Sequence, residues 1–184
     1  LEAEISTSHY LTRQMICLVL GFAVMILASR FSYRRYMEMA PRLLCAAVLA
    51  LVMVLLLGVE INNARRWFQL GGFSLQPAEF AKVAWIVFLG AYVVKKQDRI
   101  RRMSIGFLPP MIWCGVLGIL LLEEPDFGTT FMIAFLTFIM LLFGGVPLHH
   151  LFALAPLAVL GFYKFVYMVP YRWERVMAFR NPWT

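Results

Sequence analysis

Six long apolar runs divide this chain, and only short polar segments separate them. They lie near residues 15–29, 43–59, 78–94, 103–122, 127–147 and 151–169. A helix of about 17 to 25 apolar residues crosses a bilayer, and the first two runs are short for this. We therefore predict an all-α fold, a polytopic bundle of six transmembrane spans in a single domain over residues 1–184.

The composition agrees with a membrane protein and disfavours a soluble one. Of the 184 residues, 62% are hydrophobic and only 15% are charged, more apolar than a soluble domain of this length could bury. The net charge of +7 would suggest nucleic acid in a soluble protein. Here the basic residues gather between the apolar runs, where they orient helices and meet anionic headgroups. We expect no nucleic-acid partner.

No residue pattern indicates a disulfide or a metal. The cysteines Cys17, Cys45 and Cys114 lie inside apolar runs without a paired spacing. The histidines, including the adjacent His149 and His150, show no metal-ligand spacing. The chain does not begin with methionine, so we expect it to be a piece of a longer protein.

The distribution of Lys and Arg predicts the orientation of the spans. Nine of these residues lie in the first and third connections between runs. The second connection carries Arg65 and Arg66, and the fourth carries the acidic residues Glu123, Glu124 and Asp126. We therefore place the odd connections in the cytoplasm, and the second and fourth connections and the carboxyl tail outside.

The third run begins with a helix-start pattern. Pro77 follows Gln76 and suits the first helical position, and Glu79 can meet the positive end of the helix. Lys82 comes three residues after Glu79, on the same helix face. Two interpretations of Lys82 stay open: its long side chain snorkels to the interface, or it pairs with Glu79 at a water-filled cavity.

The outer connections hold further charged groups with ordinary structural interpretations. Asp126 is favoured as the N-cap of the fifth run, with Thr129 as another candidate. Arg65 and Arg66, beside Trp67, are favoured as headgroup anchors. If folding brings the two connections together, these residues would form a mixed-charge site. The planar fork of arginine suits phosphate or pyrophosphate oxygens there.

Three motifs in this order resemble the SEDS family of shape, elongation, division and sporulation proteins, whose members are FtsW, RodA and a sporulation relative. They are ARRWFQLGGFSLQPAEFAK at 64–82, LLLEEPDFGTT at 120–130 and YRWERVMAFRNPW at 171–183. The first and third motifs look closer to the division branch, FtsW, than to RodA. Ala78 stands where serine is common, and Glu123 departs from the usual residue before EPD, but neither change removes a charge.

The resemblance implies a cell-wall enzyme with about ten spans, of which this chain holds the second to seventh. Such a protein polymerises lipid II, an undecaprenyl-pyrophosphate-linked disaccharide peptide, into peptidoglycan strands outside the bacterial cytoplasmic membrane. The implied partners are a class B penicillin-binding protein and other membrane proteins of division or elongation. The family's catalytic aspartate is expected beyond Thr184, so we assign no catalytic residue here and expect the chain alone to be inactive. Whether a divalent cation assists is left open.

The same resemblance implies a set of substrate-binding residues. They are Arg66, Gln76, Glu79, Lys82, Glu124 and Asp126. Glycan polymerisation needs a base for the acceptor hydroxyl and electrostatic help for the departing lipid pyrophosphate, and the second of these would come from this chain. Arg175 would lie where the outer loop with the catalytic aspartate begins.

Two other functions are consistent with the sequence. A flippase or transporter of the lipid-linked precursor ranks second, because transporters place charged binding residues near the midplane on broken helices, whereas these charges lie at the boundary. A non-catalytic scaffold that recruits division partners is the third interpretation.

Overall fold

The computed structural model describes residues 2–61, 64–70 and 73–153, together with positions 161, 163, 167 and 168. The chain divides into two compact units, Leu1–Met39 and Ala40–Thr184. Most of the predicted sixth run, the whole tail motif and Arg175 lie outside the described residues.

The first unit contains α1, Glu2–Ser29, and the beginning of α2, Tyr33–Leu57. The hydroxyl of Tyr36 donates to the carbonyl oxygen of Ala28 at 2.7 Å and closes the short turn between the helices. The helix α2 begins about ten residues before the predicted run, because apolar composition marks where a helix meets lipid and not where it starts.

The second unit contains the rest of α2 and all later elements. In chain order they are β1 (Val59–Ile61), β2 (Ala64–Leu70), β3 (Phe73–Leu75), α3 (Pro77–Lys95), α4 (Leu108–Glu123), α5 (Phe127–Phe143) and α6 (Leu148–Phe152). A 3-10 turn, Gln97–Arg99, and a π-helical turn, Met103–Phe107, connect α3 to α4.

The core of this unit lies between α2, α3, α4 and α5. The helix α2 contributes a buried stripe spaced by three and four residues, Ala40, Leu44, Ala47, Leu51 and Val54, and this spacing keeps side chains on one helix face. The helix α3 buries small residues, Ala78, Ala81 and Ala84, that let neighbouring backbones approach closely.

A polar contact joins α3 to α5 inside this apolar core. The indole N–H of Trp85 donates to the hydroxyl oxygen of Thr137 at 2.9 Å, and both side chains are fully buried. Thr137 donates in turn to the carbonyl oxygen of Ile133 at 2.7 Å. Hydrogen bonds of this kind help to hold helices together in a membrane, because an apolar helix surface packs against lipid about as well as against another helix.

The connection between α3 and α4 packs against itself. Ile100 is buried, and a Cβ atom added to Gly106 would lie 1.7 Å from the carbonyl oxygen of Ile100. Only glycine allows this close approach of two backbone segments.

Within the described part of the chain, three helices are long and apolar enough to cross a membrane: Tyr33–Leu57, Pro77–Lys95 and the continuous segment Met103–Glu123. Two shorter apolar helices are Gln14–Ser29 and Phe127–Phe143. Together these helices overlap the first five predicted runs, and the total of six spans stays a prediction.

The small antiparallel sheet between α2 and α3 was not predicted. Its strands lie in the order β1-β2-β3. Glu60 pairs with Arg65 across the first two strands, and Gln69 pairs with Ser74 across the last two. The strands are only three to seven residues long, so their alternation of side chains is too brief to be distinguished from a loop in the sequence.

Candidate functional site

The β sheet and the turn between α4 and α5 meet at one end of the helices, and Arg66 of β2 joins them. Its Nε donates to the carbonyl oxygen of Glu124 at 2.7 Å, and its Nη2 donates to the carbonyl oxygen of Pro125. Carbonyl groups at the end of a helix lack helical partners and carry partial negative charge. The guanidinium of Arg66 therefore stabilises the end of α4 and fixes β2 against it.

The neighbouring Arg65 has a different environment. Successive side chains of a strand point to opposite faces of the sheet, and the Nε of Arg65 lies 3.5 Å from Oε2 of Glu60 on the adjacent strand. Both side chains are 54% exposed, and an exposed pair of this kind contributes little stability. Of the two arginines, only Arg66 makes a hydrogen bond to the α4–α5 turn among the described residues.

Asp126 is the N-cap of α5, which confirms the capping interpretation favoured from the sequence. Its Oδ1 accepts from the backbone N–H of Thr129 at 3.2 Å, and its Oδ2 accepts from the Thr129 hydroxyl at 2.7 Å. The carboxylate also lies at the positive end of the helix. Asp126 is 9% exposed, so most of its capacity to accept hydrogen bonds is used within the protein.

Gln76 connects this cap to the start of α3. It occupies the residue before Pro77, which is the first residue of α3 as the sequence predicted. The Nε2 of Gln76 donates to Oδ2 of Asp126 at 3.3 Å. The N-terminal ends of α3 and α5 are thus linked side chain to side chain, across 50 residues of sequence.

Glu79 and Lys82 form an ion pair on the first turns of α3. The Nζ of Lys82 lies 2.8 Å from Oε1 of Glu79. The Glu79 side chain is 64% exposed, and that of Lys82 is 19% exposed. The pair itself is therefore present, and its position at a water-filled cavity stays a prediction. Within the described ranges no hydrogen bond or ion pair joins Lys82 to Asp126.

Glu124 is one residue past the end of α4 and is fully buried. Neither of its carboxyl oxygens has a hydrogen-bond partner among the described residues. Burial, followed by the charge of Asp126, raises the pKa of this carboxyl, and Arg66 lowers it, so that the pKa is about 8. At neutral pH the protonated, uncharged form of Glu124 therefore predominates.

The six residues predicted from the resemblance thus fall into two groups. Arg66, Gln76, Glu124 and Asp126 meet at the α4–α5 turn, and Glu79 and Lys82 pair one turn along α3. Sequence reasoning missed Glu60 and treated Thr129 only as an alternative cap. The Asp-x-x-Thr spacing could have indicated the bond from the Thr129 amide, because an N-cap side chain accepts from the backbone N–H of the third residue after it.

Among the residues that the structure describes, the site offers the cations Arg66 and Lys82. Arginine carries five N–H donors, and two of the nitrogens of Arg66 are engaged with carbonyl oxygens. Lys82 adds an ammonium group beside the carboxylate of Glu79. Over the part of the chain that the structure describes, no group of three or more His, Cys, Asp or Glu could hold a metal ion. The arrangement can bind an anion next to a hydrogen-bond acceptor.

The chain matches the family model of the FtsW, RodA and SpoVE cell cycle proteins over residues 2–184. It is 36% identical over 177 residues to the probable peptidoglycan glycosyltransferase FtsW of Geobacter sulfurreducens, covering 95% of this chain and 48% of that protein. It is 37% identical over 179 residues to the protein of the same name from Aromatoleum aromaticum, covering 96% and 44%. The chain spans about half the length of the curated relatives it matches.

Solved structures show the same fold. The RodA rod shape determining protein of Thermus thermophilus aligns with a TM-score of 0.68 at 33% identity, covering 80% of this chain and 49% of RodA. A chain from a peptidoglycan synthase complex, described for its coordination of polymerization and crosslinking, aligns with a TM-score of 0.74 at 32% identity, covering 94% and 51%. These alignments confirm the predicted helical fold of a multi-pass membrane protein.

Proposed function

Since this chain belongs to the FtsW, RodA and SpoVE family of cell cycle proteins, we propose that the whole protein is a peptidoglycan glycosyltransferase that polymerises lipid II. The family resemblance read from the three motifs is confirmed by the match over residues 2–184. The names of the curated relatives support the activity and favour the division branch, FtsW.

The observation that carries this proposal is the convergence of three segments at one end of the bundle. Arg66 brings β2 to the α4–α5 turn, and Gln76 brings the start of α3 to the same turn. Lys82 lies one turn further along α3. Two cations at one membrane boundary suit a lipid-linked pyrophosphate, whose negative charge increases as it leaves.

The six predicted residues have different tasks in this proposal. Lys82 and Arg66 supply positive charge to the pyrophosphate, and the exposed Glu79 accepts from sugar hydroxyls. Gln76 and Asp126 hold the two helix starts together. Glu124 is fully buried, so it influences the site from inside the protein.

We place this end of the bundle at the outer face of the bacterial cytoplasmic membrane, because Lys and Arg concentrate in the opposite connections. We propose a class B penicillin-binding protein as partner. The aligned chain from a synthase complex for polymerization and crosslinking supports this choice.

The test is extension of lipid II by the full-length protein with its penicillin-binding partner. Replacing Lys82 with Gln removes the charge while keeping a polar side chain, and we expect a rate about 10- to 100-fold lower, as for loss of a charge-assisted contact. Lys96→Gln is the matched control, since Lys96 is exposed in the opposite connection, and its rate should stay within about twofold of wild type. A folded Lys82→Gln protein with the wild-type rate would contradict the assigned role.

The same assay separates the alternative functions. A scaffold would bind the partner and make no polymer in any lipid or detergent condition. A flippase would move lipid II across vesicles and make no polymer. Polymer formation by the wild type that depends on Lys82, with unchanged partner binding, supports the glycosyltransferase.

A further inference from the structure

The contacts around Glu124 do not account for the burial of its carboxyl group. It is fully buried, and neither oxygen meets a hydrogen-bond donor within the described residues. A buried polar group without a partner costs free energy. Yet the guanidinium of Arg66 lies against the same residue and donates to its main-chain carbonyl instead of its carboxyl group.

The charged neighbours of Glu124 come from the elements that meet at the turn. Arg66 reaches it from β2, and Asp126 lies two residues ahead at the start of α5. The helix α3 contributes the uncharged Gln76 to this contact, and its charged residues Glu79 and Lys82 pair with each other. Of the cations in the described part of the chain, Arg66 is therefore the one that an ionised Glu124 would meet.

From this geometry we infer that Glu124 is a positioning residue that acts through Arg66. When Glu124 is uncharged, Arg66 stays on the carbonyl oxygens of the α4–α5 turn and holds β2 there. When Glu124 loses its proton to water, its carboxylate competes with those carbonyl oxygens for the guanidinium. The link between β2 and the turn then weakens.

The strength of the competing partners supports this direction. An arginine–carboxylate contact is stronger than a contact between arginine and a neutral carbonyl group. A buried carboxylate also cannot stay without a partner, because an isolated charge is far more costly to bury than a neutral acid. Ionisation therefore favours movement of Arg66 to the carboxylate, which breaks the contacts of Arg66 with the carbonyl oxygens of the turn.

The first test observes Glu124 directly in the full-length protein. A protonated carboxylic acid has its own infrared carbonyl band. This band should be present at about pH 6 and fall to about a tenth of its intensity by about pH 9, because the pKa of Glu124 is raised to about 8. It should be absent from Glu124→Gln and unchanged in Glu123→Gln, the matched control, since Glu123 is exposed. Absence of the Glu124 band at every pH would overturn the inference.

The second test follows the sheet by hydrogen exchange. Exchange of the β2 amides is compared between wild type and Glu124→Gln at each pH, so that the intrinsic pH dependence cancels. The exchange rate of wild type divided by that of Glu124→Gln should be near one at about pH 6. It should rise to about tenfold at about pH 9, where about a tenth of Glu124 remains protonated. A band that titrates while this ratio stays near one would show that Glu124 does not act on Arg66.

A second variant keeps the inference testable if Glu124→Gln does not fold. Arg66→Gln removes the cation that the carboxylate needs, so the infrared band of Glu124 should persist to higher pH than in wild type. An unchanged titration in folded Arg66→Gln would overturn the coupling between the two residues.

A third readout rests on the proposed function. Polymerisation by the wild type should decline between about pH 7 and about pH 9, and Glu124→Gln should decline less. If the wild type makes no polymer, the proposed function fails while the infrared and exchange tests still decide the role of Glu124. If both proteins have the same pH profile, Glu124 has only a structural role.

Discussion

Substitutions of Asp126 separate its capping role from its charge. Asp126→Ala removes the acceptor for the Thr129 amide, the Thr129 hydroxyl and the Gln76 amide group. Asp126→Asn keeps Oδ1 for the Thr129 amide and replaces only the second oxygen by a donor. The two variants therefore differ in whether α5 keeps its N-cap.

The magnitudes follow from the contacts. Loss of an N-cap costs about 1 kcal/mol, and loss of the hydroxyl and amide contacts to a mostly buried carboxylate costs about 2 kcal/mol more. We expect Asp126→Ala to destabilise the start of α5 by about 3 kcal/mol. Asp126→Asn keeps the cap through Oδ1 but loses the Oδ2 acceptor of the Thr129 hydroxyl and of Gln76, so we expect about 2 kcal/mol.

Hydrogen exchange at the first turn of α5 measures this difference in the detergent-solubilised protein. A gap of about 1 kcal/mol corresponds to exchange about fivefold faster in Asp126→Ala than in Asp126→Asn. Glu123→Ala is the control, because Glu123 is exposed and its loss should change stability by less than about 0.5 kcal/mol. Equal exchange in the two Asp126 variants would refute the assignment of Asp126 as a cap.

Three further predictions concern stability in detergent. The pKa of Glu124 is raised from 4.5 to about 8 in the folded protein, so the folded state binds more protons than the unfolded state between these pH values. The melting temperature should therefore fall as the pH rises through this interval. A Glu124→Gln protein whose melting temperature falls with pH as steeply as that of wild type would contradict this. Trp85→Phe should cost about 2 kcal/mol, because it removes a buried donor and leaves a cavity, whereas the partly exposed Trp113→Phe should cost less in the same thermal unfolding measurement. Gly106→Ala should cost more than about 3 kcal/mol or prevent folding, since its Cβ would meet the carbonyl oxygen of Ile100. The control Gly115→Ala should be neutral or stabilising, because no atom lies within 4 Å of the added Cβ. Equal yields of the two folded variants would refute the packing argument.

Local spacing determined much of what the sequence could predict. Pro77 at the first position of α3 and Asp126 at the cap of α5 follow from preferences that act within one helical turn. The pair of Glu79 and Lys82 follows from a separation of three residues. The apolar runs predicted a helical membrane protein, because long apolar segments must be buried in lipid.

The contacts that build the site were decided by the tertiary structure. Arg66 reaches the carbonyl oxygen of a residue 58 positions away, and Gln76 reaches Asp126 across 50 positions. No local pattern encodes such contacts, since they depend on how the helices pack and on the short β strands that turn Arg66 toward the α4–α5 turn. The burial of Glu124 has the same origin, because no local pattern around Glu123, Glu124 and Asp126 shows which of these acidic side chains the packing of sheet and helix ends encloses.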